Sequence, residues 1–327
     1  MNKTNKNASF TWSVLFLSAL LAMPAQAGKL FVSNERDNTV TVLDSNTFEK
    51  IATIETGRRP RGLITSPDSK EIYVCVGDDD AIDVIDTASL KVVRQLNPGP
   101  DPELLDVDPT GERIYIANED DAMVTVIKTQ TGEKLAEIPV GVEPEGMRVH
   151  PDNHLTVATS EETSMVHFID NNSLELIDNI LIDTRPRHAE YSRDGKYVWA
   201  SSEIGGTVSV IKLDGRELVK VIGFEIPGIR AELVQPVGMR MSNDGKYAFV
   251  ALGPANRVAA VNTTTYEIEK YIVVGQRPWH MEIDPSGEKL YVANGLTNDM
   301  TIIDVASLKP EKSVPVGRLP WGVAYSE

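Results

Sequence analysis

Histidines, tryptophans and arginines recur beside a repeated proline. His188 and His280 lie two residues after Pro186 and Pro278, while Trp279 and Trp321 directly follow Pro278 and Pro320. Arg58, Arg59, Arg61, Arg277 and Arg318 lie within two residues of the same kind of proline. An imidazole pair brought together by the fold can hold a metal or a haem, or supply a general base beside a carboxyl such as Glu145. The spacing of the two histidines matches no zinc motif, so no metal is expected. Indoles beside guanidinium groups suit a flat anion with several carboxylates or carbonyls, since the ring stacks and the guanidinium forks onto oxygen pairs. Arg59, Arg61, Arg277, Trp279, His280, Arg318 and Trp321 are therefore the candidate ligand-binding set. Glu103, Glu145, Arg187 and His188 form a second set, able to do acid–base and electrophilic work.

Carboxylates dominate elsewhere. Asp78, Asp79, Asp80, Glu119, Asp120, Asp121, Glu161 and Glu162 come in short runs, with Asp101, Glu103, Glu143 and Glu145 beside the prolines. Asp78, Asp79, Asp80, Asp120 and Asp121 could dock a basic partner; a solvated acidic face explains them equally well. The runs lack the alternating spacing of a calcium loop. The chain carries a formal net charge of −16, which repels nucleic acid and anionic membranes. Cys75 is the sole cysteine, so no intrachain disulfide and no two-cysteine covalent haem attachment can form. It sits in the apolar run Ile72–Val76 and reads as a buried thiol. Phosphate loops, dinucleotide fingerprints and nucleophile elbows are absent.

These residues need a scaffold that repeats. The prolines are Pro60, Pro102, Pro144, Pro186, Pro236, Pro278 and Pro320, separated by 42 residues except for one interval of 50. Each unit reads as a turn, a short strand, an Asp/Asn-Gly turn, a Tyr-Val-type strand, a polar loop and further strands. A period near forty with several short strands predicts an all-β, seven-bladed β-propeller of four-stranded antiparallel blades. Gly28 leads straight into a second-type strand, and the chain finishes on a first-type strand after Pro320. The ring is thus expected to close by pairing the C-terminal strand with the N-terminal strands, leaving no open edge. The proline loops and the loops after Tyr-Val-Ala-Asn then share one face, called the top. The extra eight residues of the long interval fall between Gly223 and Gln235, where Phe224, Ile226 and Ile229 look exposed, as in a contact loop. A hydrophobic plug for its own blade fits the same residues.

Lys3 and Lys6, the apolar run Val14–Ala22 and Ala25-Gln26-Ala27 read as a secretory signal peptide over 1–27. Residues 28–327 would then be the exported, periplasmic propeller, without membrane insertion. Removing two lysines and no acid takes the net charge from −16 to −18.

Tyr291-Val292-Ala293-Asn294, Tyr115-Ile116-Ala117-Asn118 and Phe31-Val32-Ser33-Asn34 resemble the tetrapeptide of YVTN-type β-propellers, and the likeness covers essentially residues 28–327. The general arrangement is most similar to the propellers associated with PQQ-dependent catabolism. That resemblance implies a non-catalytic accessory of quinoprotein-linked alcohol or amine oxidation. Its partner would be a quinoprotein dehydrogenase or a basic c-type cytochrome, and a PQQ-like anion its ligand. The alternatives are a propeller enzyme of lactonase or lyase type, working through Glu103, Glu145, Arg187 and His188, and the propeller subunit of a quinohaemoprotein dehydrogenase.

Overall fold

Seven four-stranded antiparallel sheets follow one another around a central axis in a computed structural model that describes Met1 and residues 28–327. Of the signal peptide expected over 1–27, residues 2–27 lie outside the described residues. Among those residues, no helix is long and apolar enough to cross a membrane. Every innermost strand begins with one of the repeated prolines: Pro60–Thr65, Pro102–Val107, Pro144–Val149, Pro186–Tyr191, Pro236–Met241, Pro278–Ile283 and Pro320–Ser326. A first strand position tolerates proline because its missing N–H costs no ladder bond there.

Blade 1 is composite, as the chain ends require. Pro320–Ser326 pairs antiparallel with Lys29–Asn34, from Lys29 opposite Ser326 to Asn34 opposite Pro320. Blades 2 to 7 follow in chain order, from Pro60 to Pro315. The second and third strands of each blade are buried on both faces, as in Ile114, Tyr115, Ile116 and Ala117, because each blade is sandwiched between two others. The fourth strand forms the rim, where Glu175–Leu181 alternates exposed and half-buried residues.

A bulge recurs in all seven innermost strands, between the proline and the third or fourth residue. In blade 2, Pro60 pairs with Val76 and Leu63 with Val74, leaving Arg61 and Gly62 opposite Cys75 alone. Such a bulge re-aims side chains out of the pleat. The residues it redirects are Arg61, Glu103, Glu145, Arg187, Val237, Trp279 and Trp321, which form a ring around the upper end of the axis. The residue before the proline is left-handed in six blades: Arg59, Asp101, Glu143, Arg185, Arg277 and Leu319, with φ between 41° and 62°. A non-glycine residue is uncommon there. The carbonyls of these six are each met by an N–H from the loop after the second strand, such as Glu203 N–H to Arg185 and Glu119 N–H to Asp101, at 2.8–3.3 Å.

The long interval departs from expectation. Phe224 is buried, and Ile226 and Ile229 are half-buried against the core shared by blades 5 and 6, with Trp199, Val234 and Met239. The Glu225 N–H donates to the Tyr271 hydroxyl at 3.1 Å. Of the two readings open in the sequence, these three apolar residues follow the plug: an aromatic ring gains more from burial than from water.

Candidate functional site at the mouth of the channel

The upper channel is built in layers. At the rim the loop following each second strand begins with Glu35, Gly77, Glu119, Glu161, Glu203, Gly253 or Gly295. Four of these seven are glutamates: Glu35, Glu161 and Glu203 meet the arginines of the bulged ring, while Glu119 adjoins Glu103. Arg61 donates to both oxygens of the fully buried Glu103 at 2.9 and 2.8 Å, and its Nε lies 3.3 Å from Glu35. Arg59 reaches Glu103 at 2.9 Å, Asp78 at 3.0 Å and also Asp101. Arg187 pairs with Glu161 and stands 3.5 Å from both Glu145 and Glu203. Arg185 bridges Glu161 and Glu203 at 2.8 and 3.2 Å, and Arg277 donates to Glu203 at 2.7 Å.

The sequence suggests a basic, aromatic sector set apart from the acidic runs; the structure instead interleaves the arginines with carboxylates. Arg58 is tied to Asp79 at 2.7 Å, and Arg318 to Asp37. Asp78 and Asp79 form a short 3-10 turn closed by left-handed Asp80, whose carboxylate accepts from the Asp101 N–H at 3.0 Å. Those three acids are folded structure as well as exposed charge. Asp120 and Asp121 are exposed and make no side-chain hydrogen bond or ion pair among the described residues.

Proton affinity varies sharply over this ring. Burial pushes the Glu103 carboxyl up, but Arg61 and Arg59 outweigh it and hold it below the ordinary range. Glu119, within 4.8 Å of Glu103 and Asp101, is raised to about 7 by burial and by the adjoining Glu103. Glu145 is pushed well above the carboxylate range by burial, with Glu103 and Glu161 adding to the effect against Arg187. Both of its oxygens are buried without a hydrogen-bond partner. A buried carboxyl without a hydrogen-bond partner holds its proton more tightly than one in water.

A stack of flat groups completes the mouth. The Arg277 guanidinium lies 4.2 Å from the Trp279 ring centre, and Arg187 lies 5.4 Å from it. Trp279 and Trp321 stack at 6.5 Å, Trp321 and His280 at 4.0 Å, and His280 meets His188 at 5.2 Å. The two histidines come from blades 5 and 7, and glycine on blade 6 makes this meeting fit: a Cβ at Gly238 would fall 2.8 Å from His280 Nδ1. Trp321 is 1% exposed and clusters with Leu104 and Met147 from across the axis, so it closes the channel. Trp279 stays half-exposed on a cleft of about 630 Å³ lined by Glu35, Arg61, Gln276, Arg277, Leu296 and Leu319. That volume suits a small molecule.

The structure brings Arg61, Arg277 and Trp279 into one cleft, puts His280 and Trp321 beneath it, and leaves Arg318 and Arg59 outside, engaged with acids. Glu145, Arg187 and His188 lie on neighbouring blades, His188 one layer below. Glu35 and Glu203 were missed in the sequence, although Glu203 lies one step of 42 residues beyond Glu161 and Glu35 two such steps before Glu119. No carboxylate of the described residues joins His188 and His280 in a three-ligand cluster. A second trio, His150, Asp152 and His154, lies at a bottom turn. There His150 Nδ1 accepts from the Asp152 N–H and Nε2 donates to Gly195 O, so neither nitrogen is free. His167 is held by Ser160, Asn179 and the Gly141 N–H, a structural role.

Comparison with known proteins agrees with this architecture. A family model described as lactonase, 7-bladed beta-propeller, matches residues 182–311, and one described as YNCE-like beta-propeller matches residues 7–110. No curated protein matches the chain. Among solved structures, hydrazine synthase of Kuenenia stuttgartiensis is 21% identical with a TM-score of 0.77, covering 90% of this chain and 99% of that one. A putative 6-phosphogluconolactonase of Bacteroides fragilis is 20% identical, also at 0.77, covering 92% and 98%. Dihydro-heme d1 dehydrogenase NirN, in complex with DHE, is 18% identical at 0.70, covering 93% and 78%. At these identities the likeness is one of fold. The chain is a seven-bladed β-propeller, similar to lactonase-type propellers over its last three blades and to YNCE-like propellers over its first two.

Proposed function

We propose that the channel mouth takes a flat, carboxylate-bearing lactone and opens its ring by hydrolysis. The observation that carries this reading is the single cleft that joins Arg277 and Trp279 to Arg61 and Glu35. Arg277 forks onto the ligand's carboxylate while the Trp279 indole stacks on its ring. Arg61 stabilises the oxyanion that forms as water adds to the lactone carbonyl. Glu35, 3.3 Å from Arg61, takes the proton from that water and returns it to the departing ring oxygen, so lactone and water become one hydroxy acid. Glu103 keeps Arg61 in place from below. The lactonase-type match supports this reading, because residues 182–311 supply Arg187, Glu203, Arg277 and Trp279.

A panel of carboxylated and neutral lactones, followed by pH-stat, tests it. Glu35→Gln should lower kcat by about a hundredfold or more with KM little changed, the usual loss for a general base. Arg277→Ala should raise KM for carboxylated lactones and leave neutral ones alone. Absence of turnover on the whole panel would overturn the hydrolytic reading.

The same stack of Trp279 and Arg277 favours a second reading, the accessory one. In it the mouth holds a PQQ-like anion without turning it over, in an exported chain resembling the PQQ-associated propellers. Asp120 and Asp121 then face a basic c-type cytochrome or a quinoprotein dehydrogenase. Tight binding of PQQ, lost in Trp279→Ala, together with no lactone turnover would select it.

A further inference from the structure

Below Trp321 the channel is crossed by a belt that the chemistry at the mouth does not use. The fifth residue of successive innermost strands supplies Asp106, Arg148, Glu190, Arg240 and Glu282. Arg240 donates to Glu190 at 2.8 Å and to Glu282 at 2.8 Å, while Arg148 lies 3.2 Å from Glu190 and 3.7 Å from Asp106. Between this belt and the His–Trp stack is a chamber of about 30 Å³, lined among others by Arg148, Arg240, His188, His280 and Trp321. Space of that size holds one or two small guests.

The chamber's walls have donors to spare and no spare carboxylate. Both nitrogens of His188 and the indole Nε1 of Trp321 are buried without a partner. His188 is 5% exposed and Trp321 1%. All six oxygens of the belt acids are engaged. Glu190 is held by Arg148 and Arg240, Glu282 by Arg240, and Asp106 by the Val107 and Val149 N–H groups. Each guanidinium carries five N–H groups, more than these bonds consume. Leaving buried donors unmatched is unfavourable, so a guest that accepts hydrogen bonds is favoured. A metal cation is disfavoured at the same place. It would find two guanidinium groups in the wall and no carboxylate oxygen without a partner.

We propose that the chamber binds one small inorganic anion of chloride size, held by N–H groups of Trp321, His188, Arg148 and Arg240. The anion would lock His280 and Trp321 in their stack, and so brace Trp279 at the mouth. Burial lowers the proton affinity of both imidazoles, and Arg240 and Arg148 act on His188 in the same sense. This site does not depend on which reaction the mouth performs.

Crystals of the full chain soaked in sodium bromide test it directly. An anomalous peak within hydrogen-bond reach of Trp321 and His188 is the expected result. In solution, the melting temperature should climb by about several degrees between roughly 1 and 100 mM chloride at ionic strength matched with gluconate, which is too large to enter. Trp321→Phe keeps the ring and removes the N–H, and should abolish both the peak and the climb. If that variant fails to fold, the wild-type bromide map alone decides. Water in the chamber with no anomalous signal, or bromide only at surface arginines, overturns the proposal.

Discussion

Glu119 and Glu145 illustrate how one ring of similar residues acquires different proton affinities. Both carry the same carboxyl as Glu103, yet Glu103 has two guanidinium groups against it and they have fewer. The stability consequence follows from linkage. A carboxyl raised from its ordinary value to about 7 in the folded state binds a proton that the unfolded chain has already lost. Glu119 therefore contributes stability that is fully present below the unfolded value, near 4.5, and is lost as pH rises through about 7. Glu119→Gln should remove this dependence. Relative to wild type, the variant should gain about 1–2 kcal/mol in urea unfolding on going from pH 5 to pH 8, after solvent screening is allowed for. Parallel pH profiles for the two proteins would show that Glu119 titrates normally. At this scale the sequence is only partly readable. Trp279, Arg277 and Arg61 stand out beside their prolines, but Glu35 and Glu203 look like ordinary loop acids until backbone pairing sets them opposite the arginines. Arg59 and Arg318 misled for the same reason, since the acid that neutralises each belongs to a loop remote in sequence.

The element that does the positioning is the innermost strand with its bulge. Proline at its first position is visible in the sequence, and so is the period. The bulge itself is not, because the residues it displaces are as varied as Arg61, Glu145, Val237 and Trp321. The belt of Asp106, Arg148, Glu190, Arg240 and Glu282 also escaped notice, since each of its charges sits between two apolar residues. The insertion between Gly223 and Gln235 shows the converse. Its apolar residues are easy to see, but only packing reveals that Phe224 turns inward between blades 5 and 6. Phe224→Ala should cost about 3 kcal/mol, the usual loss for a buried aromatic, and lower the melting temperature by several degrees. Replacing residues 224–231 by a short turn should destabilise at least as much. An unchanged melting temperature in both variants would return the segment to the role of an exposed contact loop.

At the scale of the whole molecule, the fold was almost entirely legible, because the prolines mark seven units and the two ends of the ring supply complementary pieces. The pairing of Pro320–Ser326 with Lys29–Asn34 makes a further expectation quantitative. Deleting residues 320–327 would strip blade 1 of its innermost strand, expose Leu30, Phe31 and Val32, and remove the Trp321 plug. The truncated chain should fail to show cooperative unfolding and should aggregate, in contrast to trimming Glu327 alone. Calorimetry and light scattering on the two proteins distinguish these outcomes.

The same pairing also sets an order of events during synthesis. Blades 2 to 7 are each made from one continuous stretch and can assemble as the chain emerges. Blade 1 begins first and is finished last, because Lys29 must wait for Ser326. Throughout that interval its three early strands present an unpaired backbone edge, the kind of surface that chaperones cover and misfolded chains share. The latest residues to appear also bring Trp321, so the channel gains its floor only when the ring shuts.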